Sequence, residues 1–170
     1  MGARWRLSHP SVELRLAPLL LLALAIQLIA IYAPLGSDDL PRRILMVAGY
    51  VGLLGFVGIN LKRSALVVLG LGALLNFLPI VANGGLMPIT PETLLKTGDI
   101  PEDARVGEWV EGTKDVLKER EDVHLYFLSD RLTSDLSPFR AFSIGDLIIL
   151  AGAVILAADL LLPRPQRVNR

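Results

Sequence analysis

Residues 74–91 read LLNFLPIVANGGLMPITP, an apolar helix that runs to an abrupt stop before the chain turns polar. Pro79 removes one amide donor, and its ring presses on the carbonyl four residues earlier, at Leu75, which predicts a kink. Asn76 and Asn83 are two helical turns apart, so their side chains share a face and are placed to satisfy freed carbonyls or to reach a second helix. Gly84 and Gly85 supply the left-handed conformations that end helices, and Pro88 and Pro91 keep the helix from resuming at once. The plain reading is a helix with a firm C-terminal stop. The sharper one is a polar site at a membrane edge, because irregular backbone at membrane depth has to be buried in protein or line something polar.

Working outward, the composition says why a membrane enters the argument. Of 170 residues, 52% are hydrophobic, and they gather into long runs where a globular chain would disperse them with a helix or strand period. Cysteine is absent, which removes disulfides, thiolate metal ligands and cysteine nucleophiles together. Lys plus Arg and Asp plus Glu both number 17, so no overall charge points to nucleic acid. His9 and His124 are far apart, which leaves a histidine metal site little to work with, and neither a metal nor a cofactor is expected.

Before the decisive stretch lie two further apolar runs. Residues 16–35 follow a basic head with Arg4, Arg6 and Arg15 and are long enough to cross a hydrocarbon core of about 30 Å, whereas a cleaved signal has a shorter apolar region. Gln27 is the polar residue in that span, and an interhelical hydrogen bond accounts for it. After the turn GSDDLPRR, residues 44–61 carry Gly49, Gly52, Gly55 and Gly58 at every third position, a smooth stripe against which a neighbouring helix packs closely. A short connection at Lys62 and Arg63 leads into residues 65–82, so these two spans are expected to be antiparallel neighbours.

Beyond the stop, residues 86–140 hold twelve acidic and seven basic side chains and no run long enough to span. Within them, 103–124 has Val106, Trp109, Val110, Thr113, Leu117 and His124 at helical spacing, which predicts a short amphipathic helix weakened by Gly107 and Gly112. The cluster HLYFL at 124–128 suits lipid headgroups. The last span, 144–162, opens with Ser143 and an acid, Asp146, three residues later, the pattern of a capping box. Asp146 therefore has a structural role ready to hand, and it also joins Asn76, Asn83, Gly84 and Gly85 as a candidate polar site.

The sum is an all-α membrane protein. It is read as a single integral domain over residues 1–170, a bundle of four transmembrane helices with one long extracytoplasmic loop containing a short amphipathic helix. Eight basic residues, Arg4, Arg6, Arg15, Lys62, Arg63, Arg164, Arg167 and Arg170, fall on one face against Arg42 and Arg43 in the opposite short loop, so both termini are expected in the cytoplasm of a cell whose membrane holds the protein.

The segment NFLPIVANGGLMP at 76–88, together with FSIGD at 142–146 opening a final span, resembles a bacterial multi-pass membrane family catalogued as domain of unknown function 5317. The resemblance covers most of the chain and implies a membrane location, with no activity attached. The function expected first is that of a small structural or accessory membrane protein, whose partners are the bilayer and a second copy or another membrane protein. A small-solute or ion transporter using the broken end of the third span stands second. An enzyme with His124 and Asp130 or Asp135 as acid and base stands last, since their spacing matches no motif with a known mechanism.

Overall fold

The computed structural model describes residues 5–8, 14–36, 38–98, 105–134, 141–162 and 164–167. Five α-helices dominate them: α1 Ala17–Tyr32, α2 Leu40–Ile59, α3 Ser64–Ala82, α4 Pro91–Thr97 and α5 Ile144–Leu161. Three of these, α2, α3 and α5, are long and apolar enough to cross a membrane, and α1 is a shorter apolar helix of 16 residues. α1 stops at Tyr32, ahead of Pro34, so it is shorter than the run 16–35 that encodes it. α2 starts earlier than its apolar run, at Leu40, because Pro41 in the first turn has its fixed φ already suited to a helix and no N–H to leave unpaired.

α1 lies along α2, α2 touches α3, and α3 lies along α5. Glycines set how close these pairs come. A side chain on Gly49 or Gly52 would run into Gln27 or Ala23 of α1, whereas at Gly55 and Gly58 it would meet nothing within 4 Å. The tightest approach is between α3 and α5. A Cβ on Gly72 would sit 2.7 Å from both the Gly145 carbonyl oxygen and the Ile149 nitrogen, and one on Gly152 would sit 2.7 Å from the Leu69 nitrogen. Backbone meets backbone there. Outside the packed seams the helices present leucine, valine and isoleucine, as at Leu150, Val154 and Leu161 of α5.

The two ends of the helices are built differently. At one, β1 Trp5–Ser8 pairs antiparallel with β6 Arg164–Arg167, joining the N-terminal and C-terminal parts of the chain. At the other sits a small cap formed by the segment between α3 and α5. In it β2 Met87–Ile89 runs parallel to β3 Asp115–Leu117, α4 follows β2, and β4 Leu132–Thr133 pairs with β5 Ala141–Phe142. Leu86, Met87 and Val116 of the cap are buried together with Met46, Tyr50, Ala73 and Ile80 of the helices, so one apolar core runs through both.

The cap corrects one expectation. The helix predicted over 103–124 is absent among its described residues, which form a tight reversal: Val110 N–H donates to the Asp115 carbonyl, Leu117 N–H to that of Glu108, and Trp109 bridges Val116 antiparallel. Gly107 and Gly112, read as helix-weakening, have φ of +93° and +73° and are the turns themselves. The short helix of the loop is α4, capped by Thr90, whose side chain accepts from the Thr93 N–H, and closed by Gly98 in the left-handed region.

Candidate functional site

Where cap meets helices, the polar residues of the decisive stretch find their partners. α3 continues through Pro79 and ends at Ala82. Asn83, its C-cap, turns its amide back on the helix and out to the cap at once. The Nδ2 donates to the Pro79 carbonyl and to the His124 carbonyl, each at 2.8 Å, while Oδ1 accepts from the His124 N–H at 3.0 Å. One side chain thus pairs with both backbone groups of a residue 41 positions away, as a neighbouring strand would. Gly84 and Gly85 take φ of +85° and +101°. A Cβ at Gly85 would press on the Arg43 backbone, and the Arg43 guanidinium donates to the Gly84 carbonyl at 3.0 Å, so the corner is seated on the first turn of α2.

Asn76 belongs to a second cluster, one side turned to α5. Its Nδ2 donates to Asp146 Oδ1 at 2.6 Å, and its Oδ1 accepts from the Ser143 hydroxyl at 2.6 Å. Ser143 and Asp146 form the capping box of α5, with each side chain holding the other residue's backbone N–H, at 3.0 and 2.9 Å. Gly145 is what lets Asn76 in, since any side chain there would collide with the asparagine amide. From the cap, Lys114 reaches both oxygens of Asp146, at 3.1 and 3.0 Å, and Asp130 Oδ2 at 3.4 Å. Asp115, next in the chain, is buried beside Asp130.

The electrostatics follow from burial. Desolvation alone would pull the Lys114 ammonium down, but the carboxylates of Asp130 and Asp146 outweigh it and hold the lysine well above its ordinary value. Burial pushes the Asp115 carboxyl well above the usual carboxylate range, and the adjacent Asp130 adds to the push. Asp130 is raised by burial too, with Lys114 pulling it part of the way back.

A third attachment joins the cap to the start of α2. The buried Arg42 guanidinium donates to the carbonyls of Ala30, Ile31 and Ala33, capping the C-terminal end of α1 where a cation is favoured, and its flat face stacks on Trp109 of the cap at 3.5 Å. The Trp109 backbone N–H also donates to Asp39 Oδ2.

The structure therefore places Asn83, Gly84 and Gly85 in one attachment and Asn76 and Asp146 in another. Of the residues weighed for acid–base chemistry, His124 meets Asn83 through its backbone, Asp130 pairs with Lys114, and Asp135 lies outside the described residues. Lys114, Asp115, Arg42 and Asn60 carry as much of the arrangement and were not singled out by sequence reasoning. Asn60 had a visible signal. Like Asn83 it follows an apolar helix directly, and it repeats the same device, bonding the Arg15 N–H, the Arg15 carbonyl and the Phe56 carbonyl, each at 2.9 Å.

A family model described as Family of unknown function (DUF5317) matches residues 11–158. No curated protein and no solved structure matches the chain.

Proposed function

We propose that this chain, which belongs to the DUF5317 family of unknown function, is a small structural or accessory protein of the cell membrane whose helices carry a folded cap on the outer face. In this reading α1 crosses as a fourth span beside α2, α3 and α5. Its 16 residues extend about 24 Å at 1.5 Å per residue, and its flanks make up the remainder. Both termini lie in the cytoplasm with Arg15, Lys62 and Arg63, following the excess of basic residues at that end of the helices.

One observation carries the accessory role: the polar side chains of the last turns of α3 are spent on internal attachments, Asn83 on the cap and Asn76 on the start of α5. Both atoms of the Asn83 amide are engaged by Pro79 and His124, and both atoms of the Asn76 amide by Asp146 and Ser143. A solute path through these two asparagines has correspondingly less support. The cap itself offers Leu95 and Phe127 as exposed apolar contacts, suited to the bilayer surface or to another membrane protein.

Two measurements test this. Since the chain has no cysteine, single cysteines report sidedness directly. Leu95→Cys, at an exposed cap position, is expected to react with an impermeant maleimide in intact cells, and Lys62→Cys only after the cells are opened. The reverse pattern sinks the orientation. Asn83→Ala strands the His124 backbone groups and is expected to cost about 1–3 kcal/mol, seen as lower abundance and a lower thermal midpoint in detergent. Unchanged abundance together with loss of a measurable solute flux would favour transport instead.

A further inference from the structure

The face between cap and helices gathers ionisable side chains from four places: Lys114 just before β3, Asp115 opening β3, Asp130 after the turn Tyr126–Leu128, and Asp146 in the first turn of α5. Tyr50 of α2 faces the same group, and Asn76 and Ser143 bond Asp146 from α3 and from the start of α5. Three carboxyl groups thus share one ammonium. Asp146 holds most of it, with Asp130 more distant.

Asp115 and Asp130 are buried neighbours, close enough for each carboxyl group to act on the other. They are 6% and 2% exposed, and each has a buried oxygen, Oδ1, with no hydrogen-bond partner among the described residues. Two ionised carboxylates repel strongly at such a contact away from water, and an unpaired buried acceptor is itself costly. A single hydrogen between the two groups relieves both problems.

We propose that Asp115 and Asp130 form a proton-binding site, in which one hydrogen shared between the two carboxyl groups at neutral pH acts as a structural ligand that ties β3 to the segment following Leu128 inside the cap. Burial, joined by Asp130, holds the Asp115 carboxyl well above its ordinary value, and burial likewise raises Asp130. The folded chain therefore retains a proton that the unfolded chain releases. The stabilisation is complete below the ordinary carboxylate range and is lost as pH rises through the folded-state value, the folding equilibrium changing about tenfold per pH unit for each proton held. Lys114, whose ammonium is held well above its ordinary value, stays charged across that window and remains with Asp146.

The site lies within the cap, so it stands whichever side of a membrane the cap faces, and the cysteine labelling above neither supports nor removes it. The test uses the full chain in lipid nanodiscs. Infrared spectroscopy at neutral pH is expected to show the carbonyl stretch of a buried protonated carboxyl group, and Asp115→Asn and Asp130→Asn are each expected to remove it. The wild-type thermal midpoint is expected to fall as pH rises above the ordinary carboxylate range, and Asp115→Asn, whose amide supplies the hydrogen permanently, to flatten that fall. A neutral-pH spectrum without the band, a band that survives both substitutions, or an unchanged pH profile in Asp115→Asn overturns the proposal. If Asp115→Asn does not accumulate, the wild-type spectrum and that of Asp130→Asn decide it.

Discussion

Replacing Lys114 with methionine is expected to loosen the cap from the helices and remove about 3–5 kcal/mol of stability, the usual effect of stripping one partner from a buried ion pair. The lysine is the cation within bonding distance of both Asp146 and Asp130, and all three side chains are largely withdrawn from water, at 20%, 30% and 2% exposure. Without it, two carboxylates face each other across a dry seam. Limited proteolysis should then cut within 105–134, at Lys118 or Arg120, while the helices persist, and the thermal midpoint should drop. Asp146→Asn should do less harm, because Asp130 remains to pair with Lys114. Combining the two substitutions should cost less than their sum, the mark of residues acting on each other. An unchanged cleavage pattern in Lys114→Met would mean that the apolar core, with Asn83 and Arg42, holds the cap unaided.

The second large effect is expected at Gly72. Leucine there would drive its Cβ into the Gly145 carbonyl and the Ile149 amide, which are main-chain atoms of α5 and unable to swing aside. The destabilisation should reach about 3 kcal/mol, the upper end for overpacking, and the variant should accumulate poorly or melt early. Gly55→Leu makes the matched control. Nothing lies within 4 Å of a Cβ at Gly55, so that variant should differ from wild type by no more than about 1 kcal/mol, with the gain in helix propensity in its favour. Equal losses at both positions would contradict the helix arrangement.

These two sites also show what could be read from sequence and what could not. The apolar helices were legible because long apolar runs need no long-range information, and the end of α3 was legible because Asn83, Gly84, Gly85 and Pro88 act on their own neighbourhood. The capping box of Ser143 and Asp146 is likewise a relation between residues three apart. The Lys114 pairing is not of that kind. It joins residues 32 apart, and its lysine and Asp115 look in sequence like any solvated charges in an acidic loop. The loop was misread for a physical reason too: Trp109, Val110, Thr113 and Leu117 keep helical spacing by coincidence, and what decides is the left-handed backbone at Gly107 and Gly112. The glycine stripe on α2 was easy to see but said nothing of which helix would meet it. The α3–α5 seam, made by Gly72, Gly145 and Gly152, carries no comparable regularity.

The clamp at Asn83 bears on how the protein ages. Asn-Gly is the dipeptide in which the glycine nitrogen most easily attacks the preceding side-chain carbonyl, forming a succinimide that reopens to aspartate or isoaspartate. Here the Gly84 N–H is turned toward the Val81 carbonyl at 3.2 Å, and the Asn83 amide is fixed at both ends. Deamidation would replace the Nδ2 donor that the Pro79 and His124 carbonyls require with an oxygen that repels them. The fold thus shields this asparagine from its own neighbour while the cap is seated, and a chain whose cap has come loose loses that protection along with the means of closing again.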